Sequence, residues 1–359
     1  MSAAPAAMIG QTEAVAPGTQ FDEDRLAGYL GGVIPGMTGG IALHQFQGGQ
    51  SNPTFLLETN AGKLVLRRKP AGVLLASAHA VDREYRITRA LFEAGLPVPE
   101  PLVLCEDTDV IGTMFYVMRH VPGRAFWDPR MPDLSREDRA AVYDSANATL
   151  AELHRVDFAA LGLADYGRPG NYFARQIARW SRQYDASRTR DIPEMDRLIA
   201  WLPDAIPEMG ERSTIIHGDY SFHNLLIHPT EPRVAAVIDW ELSTLGDPLG
   251  DLTYHMMEWT RPEGVDLRGT LMGKDLAALG IPSAGDYARA YRDRTGFDVD
   301  PTHPFYTAFN LFRVAAILQG IAGRAAGGVQ TAANANEVIQ RIEPLAKAAW
   351  RSAREAGAA

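Results

Sequence analysis

Cysteine is nearly absent from the chain: Cys105 stands alone among 359 residues. An intrachain disulfide is therefore excluded, and a reducing compartment, the cytoplasm, is expected, with Cys105 as a small buried hydrophobe. Positive charge is also scarce. Thirty-five Lys and Arg against 44 Asp and Glu give a net charge of −9, and no basic stripe runs along the chain to neutralise successive phosphates, which argues against a general nucleic-acid binder. Long apolar runs are missing too. The most apolar late segment, Val314 to Ala326, is broken by Gln319, Gly320 and Arg324 and is too short to span a bilayer, so no membrane partner is expected. Met1 to Gly18 has neither the basic start nor the apolar core of a secretory signal. No repeat period is found, and net charge says nothing about oligomeric state.

What is present is an ordinary globular composition, 46% apolar and 22% charged, enough to bury a core in one or two units. Extended stretches read at Ile41 to Gln47, Thr54 to Thr59 and Lys63 to Arg68, separated by turns at Gly48 to Pro53 and Asn60 to Gly62, and predict an antiparallel meander. From about His79 to Ala94 the spacing of Val81, Glu84, Ile87 and Leu91 predicts a helix that turns Glu84 inward, stopped by Gly95 and Pro97. Two further strands, Leu102 to Cys105 and Met114 to Met118, precede a break at Pro122-Gly123. Beyond it the pattern is helical, starting with the capping pair Ser135 and Asp138 and returning in the last third at about 305–323 and 334–355. The exception is Ser213 to Ile238, where three short apolar runs look like strands around loops. This reading gives an α+β chain: a flexible tail over 1–20, a first lobe over 21–118, a connecting segment at 119–123 and a helical lobe over 124–359.

Those loops hold the chemistry. His217-Gly218-Asp219-Tyr220-Ser221-Phe222-His223-Asn224 has the spacing H-x-D-x-x-x-x-N, in which an Asp can take the proton of an attacking hydroxyl while an Asn five residues on offers an oxygen to magnesium. Fifteen residues after Asn224 the run Val234 to Ile238 ends in Asp239, a second magnesium ligand in that scheme. A rival set of His217, Asp219, His223 and His228 would suit zinc, but leaves Asn224 and Asp239 without a role.

These segments, with Ile238-Asp239-Trp240-Glu241 and Gly246-Asp247-Pro248-Leu249-Gly250-Asp251-Leu252, resemble in order and spacing the signature of the aminoglycoside phosphotransferase and choline kinase-like superfamily. The resemblance runs from about Ile41 to the end. It implies a protein-kinase-like, two-lobed α+β fold with an antiparallel first lobe carrying one helix, a nucleotide (ATP or GTP) with Mg2+, and a small-molecule hydroxyl acceptor. It implies Asp219 as catalytic base, Asn224 and Asp239 as metal ligands, His217 as support of the loop and Asp251 as the carboxylate bracing it, although Asp247 and Asp251 also suit helix capping. Gly49, Ser51 and Asn52 fall where the family covers the phosphates, a place an ordinary hairpin loop would also fill. Arg67 falls where many relatives carry Lys, with Glu84 as partner; Arg is not a neutral replacement, and a solvated Arg67 is the plainer alternative. Tyr116 to Gly123 resembles the family's hinge, where the Arg119 carbonyl and Val121 N–H would read a base with Met118 behind, or where an ordinary connection would run.

The acceptor is the least legible part. Glu241 and Glu258 beside Trp240 and Trp259 are candidate contacts for an aminoglycoside or amino alcohol, with core packing the plainer role for the tryptophans. Gly49 to Thr54, Leu66 to Pro70 and Ala78 to Tyr85 look closest to kinase-like domains fused with acyl-CoA dehydrogenases, which points to hydroxyacyl thioesters, with Arg67 to Lys69 either meeting coenzyme A phosphates or simply solvated. A nucleotide-binding regulatory module without transfer activity is the reading of another class.

Overall fold

The computed structural model describes residues 12–16, 18–46, 52–70, 80–208, 212–265, 269–297, 300–326 and 335–359. The first part of the chain forms β1 (Thr12–Glu13), α1 (Glu23–Val33), β2 (Ala42–Phe46), β3 (Thr54–Thr59), β4 (Gly62–Arg68), α2 (Val81–Glu93), β5 (Pro101–Cys105) and β6 (Phe115–Arg119). Helices α3 (Arg136–Arg155), α4 (Tyr172–Ser187) and α5 (Pro193–Trp201) follow. Next come β7 (Thr214–Ile216), β8 (Leu225–Ile227), β9 (Val234–Val237) and β10 (Thr244–Gly246), with one-turn 3-10 helices at Phe222–Asn224 and Trp240–Leu242. The chain closes with α6 (Leu249–Thr260), α7 (Leu276–Leu279), α8 (Ala284–Thr295), α9 (Pro304–Ala326) and α10 (Ala335–Glu355).

The chain divides into two compact units: residues 1–126, 159–163 and 222–243, and the remainder. The first is a six-stranded sheet in the order β1-β2-β3-β4-β6-β5, antiparallel throughout. Side chains alternate across it as the two-residue period of a strand requires. Leu64 and Leu66 of β4 join Phe55, Phe115 and Val117 in a cluster with Leu26 and Leu30 of α1. Val65, from the other face of the same strand, packs with Tyr116, Met118 and Val81 of α2. Arg67 is two residues beyond Val65 and therefore points to the α2 face, opposite Tyr116 in the register. Arg68 points the other way, its guanidinium 5.1 and 5.5 Å from the Phe21 and Phe55 rings.

Two expectations change here. The segment read as a tail contributes strand β1, paired with β2, and the Thr19 carbonyl accepts from Arg68; a two-residue strand carries too little pattern to be read. The chain also returns to the first unit over 222–243, because the β8–β9 hairpin is tied to it: Val237 N–H donates to the Pro97 carbonyl, and Ile227 exchanges backbone hydrogen bonds with Arg124.

The second unit is helical apart from the β7–β10 pair. Helix α3 starts at Ser135, whose hydroxyl accepts from the Asp138 N–H at 3.0 Å. Helix α9 packs against α4, α6 and α10, with Phe305, Phe309 and Phe312 fully buried. Pro304–Ala325 is long and apolar enough to cross a membrane, and 83% of its apolar stretch is buried inside the protein, as in a core helix.

Candidate active site

In the sheet unit the site is organised by Arg67. Its Nε lies 3.2 Å from Glu84 Oε2. Its two terminal nitrogens donate to Asp239 Oδ1 at 3.0 and 3.1 Å, and Glu241 stands at 3.9 Å. Glu84 is fully buried and also accepts from Asn52 Nδ2 at 2.8 Å and the Tyr116 hydroxyl at 3.1 Å. Burial pushes the Glu84 carboxyl above its ordinary range against the pull of Arg67. Burial also opposes the charge on Arg67, but Glu84 and Asp239 outweigh it and hold the guanidinium protonated beyond its usual range. Asp239 has a left-handed backbone, φ 69°, a conformation that Asp adopts at tolerable cost and that recurs at functional sites. Asn224 is buried at the end of its 3-10 turn.

In the helical unit the turn after β7 is held from both sides. The Asp251 carboxylate, in the first turn of α6 and fully buried, accepts the His217 N–H at 2.5 Å and the Gly218 N–H at 2.7 Å. From the opposite direction Arg313 of α9 donates to the Gly218 carbonyl. Gly218 has φ +86°, which a side chain would resist. His217 Nδ1 accepts the Asp219 N–H at 3.2 Å, and the Tyr220 hydroxyl donates to the Ala146 carbonyl at 2.8 Å. Asp219 is thus carried, half-buried, on a backbone fixed at the two preceding residues. Burial works against the charge on Asp251, yet the contacts with His154 and His217 prevail and its carboxyl lies below the usual range. His154 Nε2 is 3.4 Å from Asp251, and its Nδ1 is 2.7 Å from the Tyr291 hydroxyl.

Other residues expected at the site are placed as follows. Gly49 and Ser51 lie outside the described residues. Asn52, expected over phosphates, instead spends its amide on Glu84. Met118 is buried beside Val65 and Tyr116. The Arg119 side chain pairs with Glu100 at 2.8 Å, and its N–H donates to the Glu100 carbonyl; the Val121 N–H has no partner among the described residues. Asp247, also read as a capping residue, accepts the Leu249 N–H at 2.9 Å. Two expectations are corrected. Glu258 is buried in an ion pair with Arg261 at 2.6 Å, and Trp259 is buried against Tyr143 and Tyr287 with its indole N–H on the Pro282 carbonyl, so both belong to the core: α6 is buried along its length. The cationic run at 67–69 is likewise no cluster, since Arg67 turns to Glu84, Arg68 is buried on the opposite face and Lys69 stands 3.7 Å from Asp82. Among the described residues no three His, Cys, Asp or Glu side chains gather as a metal site. Reading the sequence missed His154, Arg313 and the bond from Tyr116 to Glu84, which depend on contacts far along the chain.

The phosphotransferase enzyme family model matches residues 42–292. Acyl-CoA dehydrogenase family member 10 of Mus musculus is 42% identical over 350 residues, covering 97% of this chain and 33% of the mouse protein, so the chain spans one third of that curated relative's length. The crystal structure of a presumed aminoglycoside phosphotransferase from Ralstonia eutropha is 45% identical, with a TM-score of 0.84 over 94% of this chain and 99% of that one. An aminoglycoside phosphotransferase solved as a ternary complex with ADP and hygromycin B shares the fold, at 16% identity and a TM-score of 0.58 over 91% of this chain and 98% of that one. With its α+β, kinase-like architecture and a family match across most of its length, this chain belongs to the phosphotransferase enzyme family.

Proposed function

We propose that the chain transfers the γ-phosphoryl group of ATP to a hydroxyl group of a small acceptor, with Asp219 as base and Asn224 and Asp239 as magnesium ligands. The observation that carries this reading is the Glu84–Arg67–Asp239 chain of ion pairs, which joins the expected nucleotide-anchoring cation to its helix glutamate and to the aspartate expected to ligate magnesium. The residues fit both ATP and magnesium. Arg67 Nε is buried and, although close to Glu84, makes no aligned hydrogen bond, a donor that phosphate oxygens would satisfy. Asn224 and Asp239 offer the hard oxygen donors that magnesium takes, in the small number that suffices when phosphates and water complete the set. When bound, magnesium neutralises charge on the β- and γ-phosphates.

The protein's own part is positioning. Arg67 anchors phosphate while staying charged. Asp251, His217 and Arg313 hold the turn that presents Asp219, whose carboxylate accepts the proton of the acceptor hydroxyl and aims its oxygen. No covalent enzyme intermediate is needed. ATP is the donor this reading takes, in line with the ADP of the related ternary complex. For the acceptor, a hydroxyacyl thioester is favoured by the likeness to an acyl-CoA dehydrogenase family member. The aminoglycoside alternative loses Glu258, whose charge is spent on Arg261. A panel of hydroxyacyl-CoA and aminoglycoside acceptors with radiolabelled ATP tests both points: label should pass to a thioester and be lost in Asp219→Asn. Label on aminoglycosides alone would reject the thioester, and undiminished transfer by Asp219→Asn would reject the base.

A further inference from the structure

Arg313 is more than a brace for the turn. It is 3% exposed, yet no carboxylate lies within ion-pair distance of it among the described residues, and its Nε and one terminal nitrogen have no hydrogen-bond partner. Its guanidinium lies over the rings of Tyr254, at 5.0 Å, and Trp180, at 5.7 Å. A second guanidinium, Arg179, lies 5.0 Å from the same Trp180 ring and has no carboxylate partner among the described residues. Arg179 is partly in solvent and partly packed against the protein, where Arg313 is buried. Burial, and next the charge of Arg313, hold the Arg179 guanidinium below its usual range. Two like charges on one indole, the inner one buried with unspent donors, are costly unless an anion joins them. Aromatic contact recovers only part of that cost.

We propose that Arg313 and Arg179, both beside the Trp180 ring, form an oxyanion-binding pair that receives a carboxylate or phosphate group of the acceptor next to the Gly218-Asp219 turn that Arg313 holds. The proposal rests on the kinase reading above and narrows it: the hydroxyl compound that reaches Asp219 carries an anionic group, which selects against amino alcohols and aminoglycosides. Specificity of this kind is strong because an acceptor lacking the anion leaves buried donors unpaired. Arg313 reaches the Asp219 turn through the Gly218 carbonyl, so anion binding and base placement meet in one side chain.

The test is thermal unfolding of the full chain, saturated with magnesium and a non-hydrolysable ATP analogue so that the nucleotide site is filled. It is titrated with inorganic phosphate and, separately, acetate, at ionic strength held constant with chloride. One or both anions should raise the midpoint, and the stronger identifies a phosphate or a carboxylate. Arg179→Gln, a surface change, should weaken that anion about tenfold or more, the loss of one charge-assisted contact, without altering the response to the nucleotide analogue. Arg313→Lys, which keeps the charge and loses the fork, should weaken it similarly. No response to either anion, or an equal response in Arg179→Gln, overturns the proposal. Absence of a response to the nucleotide analogue overturns the kinase reading instead, and the anion titration of the nucleotide-free protein still reads the arginine pair.

Discussion

Replacing Asp251 by Asn tests the turn at its strongest point. The aspartate accepts two backbone N–H groups, from His217 and Gly218, and is fully buried. Each hydrogen bond to a charged acceptor contributes roughly 1.5–3 kcal/mol. An asparagine can serve one amide through its oxygen but must turn an N–H toward the other. The loss is therefore about 3 kcal/mol, read as a lower urea midpoint at constant slope. There is a matching pH effect. Asp251 titrates below the ordinary aspartate value in the folded protein, where contacts with His154 and His217 outweigh burial. Its contribution is thus complete above the unfolded-state value and is lost as pH falls through the lower, folded one. Asp251→Asn should lack that part of the acid limb. A loss under about 1 kcal/mol, or an unchanged acid limb, would refute the bracing argument.

Arg67→Met should cost roughly 3–5 kcal/mol in urea unfolding, because it leaves Glu84 buried without its cation; Arg67→Lys should recover part of this, and a Met variant as stable as the native chain would contradict the pairing. Glu258→Gln should lower stability by about 3 kcal/mol through the stranded Arg261 and leave the acceptor KM unchanged, whereas a raised KM at native stability would return Glu258 to the acceptor site. Burial pushes the His255 imidazole down to about 4 from 6.5. The unfolded chain therefore takes up a proton first, and stability should fall by about 3 kcal/mol between pH 6.5 and pH 4. A His255→Phe variant with the same slope over that window would contradict this.

Much of the sheet unit could be read directly, because its strands alternate and its turns are marked by Gly, Asn and Pro; β3 occupies Thr54–Thr59 as expected. Helix α1 and strands β1 and β10 went unread, the strands because two or three residues carry no periodicity, and α1 because glycines interrupt its apolar stripe. The Arg67–Glu84 pair is what the family resemblance implies, and helix phase adds only that Glu84 turns inward. The grip of Arg67 on Asp239 spans 172 residues, a closure that no local pattern encodes. Local reading misjudged Glu258 for a related reason: a carboxylate beside tryptophans looks alike in a pocket and in a core, and only Arg261, three residues on and buried with it, distinguishes the two. Asn52 shows the same limit, a turn residue by sequence whose side chain is consumed by Glu84.

Magnesium held by Asp239 is the proposed anchor of ATP, and unfolding of the native chain and of Asp239→Ala with ATP, with and without magnesium, reads it out. At about 100 times its dissociation constant the nucleotide should stabilise the native chain by roughly 2.7 kcal/mol, in a magnesium-dependent manner that the variant loses. No stabilisation of the native chain, or an equal magnesium-dependent effect in Asp239→Ala, would contradict it.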